Sequence, residues 1–133
     1  MKKPHITDIL LLMMSAALCI GVKLLFHACA PKEDGSWMAC HWAEQAVFAA
    51  SLGMSLTAFV RLFLDRRARA GAALGMSITA AVTAFIPGVF IRLCMMNDMR
   101  CHAVMRPAAV ILCVLIVICG IADFVLARKE AAA

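Results

Sequence analysis

Two short runs carry the residues most suited to chemistry: Met38, Cys40 and His41 in one, and Met99, Cys101 and His102 in the other, each reading Met-x-Cys-His. A further cysteine precedes each run, Cys29 eleven positions before Cys40 and Cys94 seven before Cys101. Two residues before those cysteines stand His27 and Arg92, so the order of parts repeats although the loops differ in length. Two of the chain's four histidines directly follow a cysteine in this setting, a coincidence that composition alone does not explain.

Three chemistries fit these residue types. The first is a transition-metal or haem site. Thiolate and imidazole suit tetrahedral zinc or iron, and the thioethers of Met38 and Met99 extend the set towards cuprous copper. Neighbouring side chains point in different directions, so a single ion would take one residue from each of the pairs Cys40/His41 and Cys101/His102, together with a partner such as Met95, Met96 or Met105. With the cysteines oxidised, His41 and His102 could instead ligate haem iron from opposite sides. Covalent haem attachment is not supported, because neither run is Cys-x-x-Cys-His.

The second is purely structural. Cys29, Cys40, Cys94 and Cys101 can pair in three ways, stapling the loops of a partner-binding subunit. The third is thiol-disulfide exchange coupled to a quinone, in which a cation such as Lys23, Arg92 or Arg100 would hold a thiolate at low pKa.

The elements that must position these residues are membrane spans. The chain has 133 residues, 65% of them hydrophobic and only 16% charged, a balance too apolar for an ordinary soluble domain. Stretches almost free of charge fall at about 9–28, 43–64, 71–93 and 107–127, each near the length a helix needs to cross a bilayer. The expected fold is therefore all-α, a single integral membrane domain over 1–133 forming a four-helix bundle of two similar helical hairpins. Outer loops are expected at 29–42 and 94–106, and a basic turn at 65–70 joins the hairpins. The first stretch follows Lys2 and Lys3 but lacks a good cleavage site, Leu18 preceding Cys19 and His27 lying two before Cys29, and it reads as a retained span.

Basic residues set the orientation. Lys2, Lys3, Arg61, Arg66, Arg67, Arg69, Arg128 and Lys129 collect on one side, which predicts a multi-pass protein of the cytoplasmic membrane with both termini cytoplasmic and both Cys-His runs outside. The net charge of +5 is mostly this topology signal, and no basic face on a soluble module points to nucleic acid. Repeats of one orientation imply a pseudo-two-fold axis along the membrane normal, where the two runs would meet.

Within the spans, Cys19, Cys113 and Cys119 read as small apolar packing residues. Small residues at helical spacing, such as Ala46, Ala50, Gly53, Gly71 and Gly75, allow close helix approach. Pro87 and Gly88 are expected to kink the third span. Arg61 and Asp123, at the cytoplasmic ends of their spans, are expected to pair, and Lys23 and Arg92 to snorkel towards the outer headgroups.

Cys29, Met38, Cys40, His41, Trp42, Cys94, Met99, Cys101, His102 and Pro107, on four short spans, together resemble a bacterial and archaeal family known as domain of unknown function 4418. The resemblance covers essentially the whole chain and implies an outer-face site without specifying a reaction. It further implies an accessory role beside an ABC-transporter-type membrane complex handling iron or another metal. In layout alone the chain is similar to the DsbB family and to vitamin K epoxide reductases, which pass electrons from external thiols to quinone, but it lacks their Cys-x-x-Cys.

Overall fold

A computed structural model describes residues 5–26, 30–93 and 101–132. Four helices account for about three quarters of them. They are α1 (Ile6–Leu24), α2 (Ala39–Arg61), α3 (Arg66–Phe85) and α4 (Arg106–Ala132), with a π-helical turn, Cys101–Met105, running directly into α4. All four are long and apolar enough to cross a membrane. At 1.5 Å per residue, the 19 residues of α1 reach about 28 Å, close to the thickness of a bilayer's hydrocarbon core.

The helices form a closed four-membered bundle. Contacts are most extensive within the pairs α1–α2 and α3–α4, while α1–α4 and α2–α3 complete the ring. Two hairpins packed side by side are thus the building units. The shared core contains Leu11, Leu18, Val47, Met54, Met76 and Ile116. The outer surface is equally apolar: Ile20, Ile78 and Ile111 are each about 60% exposed. An apolar core inside an apolar surface is the pattern of a bundle solvated by lipid, and the protein is a multi-pass membrane protein.

Close helix approach is achieved at particular small residues. Gly120 of α4 lies against α3 so tightly that a Cβ there would collide with Ser77 Oγ and stand 2.9 Å from the Ala73 carbonyl. Ser77 Oγ donates to the Ala73 carbonyl at 3.0 Å and reaches the Val117 carbonyl on α4 at 3.4 Å, which joins the two helices where lipid supplies no hydrophobic drive. By contrast, Gly53, Gly71 and Gly75 have open space around them.

Helix ends depart from the charge-free stretches for local reasons. Helix α1 stops at Leu24 because the amide N–H of Phe26 turns back onto the Gly21 carbonyl at 2.9 Å and the Phe26 ring lies over Gly21, where a Cβ would be only 2.5 Å from it. Helix α2 begins at Ala39, so Cys40, His41 and Trp42 belong to its first turn rather than to the preceding loop. Pro87 does not kink α3 as expected but follows its end. The helix stops at Phe85, and Gly88, with φ of 104°, lets its N–H reach the Ile91 carbonyl at 2.9 Å. Proline cannot supply the N–H that another helical turn would need, and glycine accepts the left-handed backbone that replaces it.

Candidate functional site

The Cys-His runs occupy helix starts. Met38 is the residue before α2, Cys40 and His41 lie in its first turn, and Cys101 and His102 open the π-helical turn before α4. On α2, Cys40, Ala43, Glu44 and Val47 are buried at helical spacing and face inward. In the π-helical turn Cys101 and Met105 are both buried while Ala103 and Val104 are exposed. Widened turns of this kind are rare and tend to occur at functional positions.

These faces meet. Cys40, Cys101 and Met105, all with no exposed surface, form one cluster with Ala43 and Leu93, and Met38 and Ile91 pack against it. The two Met-x-Cys-His runs therefore come together at Cys40 and Cys101. His41, which follows Cys40 in the first turn of α2, contacts two aromatic rings. Its ring stacks on Trp37 with centroids 3.9 Å apart and meets Trp42 edge-on at 5.6 Å. His102 is half-buried. Among the described residues no disulfide joins one cysteine to another, and no three His, Cys, Asp or Glu side chains gather closely enough to hold a metal ion. Cys29, Cys94, Met99 and Arg100 lie outside the described residues. Met105, which sequence reasoning offered only as an auxiliary ligand, is the methionine most deeply placed in the cluster.

The candidate supporting cations sit differently from expectation. Lys23 does not simply snorkel: its Nζ donates to Glu44 Oε1 at 2.9 Å and lies 5.0 Å from the centre of the Phe48 ring. Lys23 suits its own helix, lying in the last turn of α1, while Glu44 lies in the second turn of α2. Arg92 is exposed. The loop leading to Met38 is closed by Asp34, whose carboxylate accepts from the Ser36 N–H at 3.0 Å and Ser36 Oγ at 2.7 Å. Those two bonds hold the Asp34 carboxyl below its ordinary pKa.

A second polar constellation occupies the opposite end of the bundle. Arg61, with no exposed surface, pairs with Asp123 of α4 and stands 2.9 Å from Asp8 of α1. Arg69 of α3 donates to the other Asp8 oxygen at 2.9 Å, and Thr7 Oγ1 donates to Asp123 at 2.6 Å. Each helix thus contributes one charge. The expected Arg61–Asp123 pair is present, whereas Asp8 and Arg69 were missed because each falls at a span terminus where the sequence reads as interface. The pairing is incomplete in hydrogen bonds: Arg61 Nε and Nη1 have none, and the Asp8–Arg61 contact is electrostatic, Asp8 Oδ1 accepting no hydrogen bond.

The comparison with protein families decides the relationship. The family model described as domain of unknown function (DUF4418) matches residues 11–126. The chain belongs to that family. In this DUF4418 protein the matched segment contains all four helices in whole or in large part, both Cys-His runs and three of the four members of the charge network, Arg61, Arg69 and Asp123. No curated protein and no solved structure matches the chain.

Proposed function

We propose that this protein handles a soft transition-metal ion, cuprous copper foremost, at a sulfur site beneath its outer face, as an accessory subunit of a transport or redox system. The observation that carries the reading is the convergence of Cys40, Cys101 and Met105, all without exposed surface, with Met38 packed against them. Thiolate and thioether sulfurs in a dry, apolar setting favour a soft monovalent ion over the harder divalent ones. Zinc fits less well, since its closed sites take four Cys or His ligands, whereas the cluster supplies two cysteines and the thioethers of methionine, and the His41 ring is stacked on Trp37. That same stacking weakens a haem site built from His41 and His102. The basic residues at the Arg61–Arg69 end support an orientation with both termini cytoplasmic and the sulfur cluster outside. An ABC-transporter-type complex is the class of partner this role implies.

The test is the full chain purified in detergent under a reductant and without oxygen, analysed for retained metals and titrated with cuprous copper against a chromophoric chelator. The reading expects copper to bind more tightly than zinc or ferrous iron. A reduced protein that binds none of these metals would overturn it.

Quinone-linked thiol-disulfide exchange is the second reading, because a converging cysteine pair also suits electron transfer between thiols. Against it, Lys23, a candidate to stabilise a thiolate, is engaged by Glu44. Quinone reduction driven by an external dithiol, lost on Cys40→Ser or Cys101→Ser substitution, would favour this reading over metal handling.

A further inference from the structure

The α3–α4 hairpin contains a groove that metal handling does not use. It encloses about 470 Å³ and is walled by apolar side chains of both helices, among them Ala84, Phe85, Val110, Val114 and Ile118. Pro87, Val89 and Arg106 line the end nearer Cys101. The volume lies within the range of small-molecule sites. Because α3 and α4 both span the membrane, the occupant must come from the lipid phase.

Charge selects among such occupants. Among the described residues Arg106 is the groove's sole charged lining residue, and it forms no ion pair with any of them. Its position is built into the backbone. The guanidinium lies across Gly88, where a Cβ would stand 3.1 Å from the guanidinium carbon, and the φ of 104° at Gly88 already restricts that position to glycine. The turn that ends α3 therefore leaves room for a cation at the mouth of an apolar slot. Arg92, exposed on the segment that follows, adds positive potential.

We propose that this groove binds one anionic phospholipid, an acyl chain lying between α3 and α4 and the phosphate resting on Arg106. A planar guanidinium can grip phosphate oxygens through two parallel hydrogen bonds, and a single basic residue near a membrane surface is enough to bias lipid choice. The inference is independent of the metal site, since among the described residues no sulfur of the Cys-His runs lines the groove.

The experiment uses the full chain in bilayer discs of phosphatidylcholine with increasing phosphatidylglycerol, with retained lipid counted by native mass spectrometry. One phosphatidylglycerol should be kept in preference to phosphatidylcholine. Arg106→Gln should weaken that preference about fivefold, whereas Arg106→Lys should retain part of it. Ala84→Leu, which fills the slot and keeps the cation, should lower retention of both lipids. If Arg106→Gln does not fold, raised salt applied to the wild-type protein serves instead, and the preference should fall as the charge is screened. Equal preference in wild type and Arg106→Gln, indifference to salt, undiminished retention in Ala84→Leu, or a co-purifying quinone in place of phospholipid would each overturn the proposal.

Discussion

Arg61 is the residue whose surroundings most constrain it. It has no exposed surface, and its positive charge faces Asp8 and Asp123 in a medium where unpaired charge is costly. Arg61→Ala would leave Asp8 with Arg69 as its one cationic partner among the described residues and Asp123 with a hydroxyl, and is expected to destabilise the bundle by about 3–5 kcal/mol. Arg61→Met combined with Asp123→Asn should recover much of that loss. Thermal unfolding in one detergent, followed by circular dichroism, compares the three. At the other end Asp34 supplies a pH test with a definite sign. Its lowered pKa means that the turn's stabilisation is complete above the ordinary carboxylate value near 3.8 and disappears as pH falls through the lower folded value. The Ser36 amide resonance should therefore titrate below that ordinary value, and Asp34→Asn should abolish the titration.

Among the elements, the contact of α3 with α4 rests on the absence of a side chain at Gly120. Gly120→Ala places a methyl group against Ser77 Oγ and the Ala73 carbonyl and is expected to cost about 1–3 kcal/mol through overpacking. Because the carbonyl cannot retreat as a side chain can, Ser77→Ala should relieve only part of the cost, a difference readable as melting temperature in the double variant. This contact was not legible beforehand: Gly71 and Gly75 share the small-residue pattern yet face open space, and only the rotation of each helix distinguishes them from Gly120. The number of spans was legible because long apolar runs have few other stable solutions. Their ends were less so. Cys40 and His41 read as loop residues because charge and aromatic residues flank them, but nothing in that stretch prevents a helical turn, and α2 extends through them. Pro87 was read as a kink where it follows the helix end, since sequence does not reveal whether Gly88 beyond it turns left-handed.

For the molecule as a whole, the repeat of Met-x-Cys-His was the feature that pointed to a common site, and Cys40 and Cys101 do share one cluster. What the repeat did not disclose was the division of labour within it, with sulfur turned inward and His41 held between tryptophans. Individual residues gave no warning of this, because adjacent Cys and His side chains leave a helix in different directions and only the packing decides which one is buried. The orientation can be checked separately: a cysteine introduced at Ser36 in a chain with its native cysteines replaced should react with a membrane-impermeant maleimide from outside intact cells, and one at Lys129 should not. The account's central claim is that the two runs make one site. Its most direct measure is the stoichiometry of cuprous copper in the reduced wild-type protein and in the single variants Cys40→Ser and Cys101→Ser. Convergence predicts one ion per chain and a loss of affinity of about a hundredfold or more in each variant, since either substitution removes a ligand from the same ion. Two ions per chain, with each variant retaining one at unchanged affinity, would contradict it.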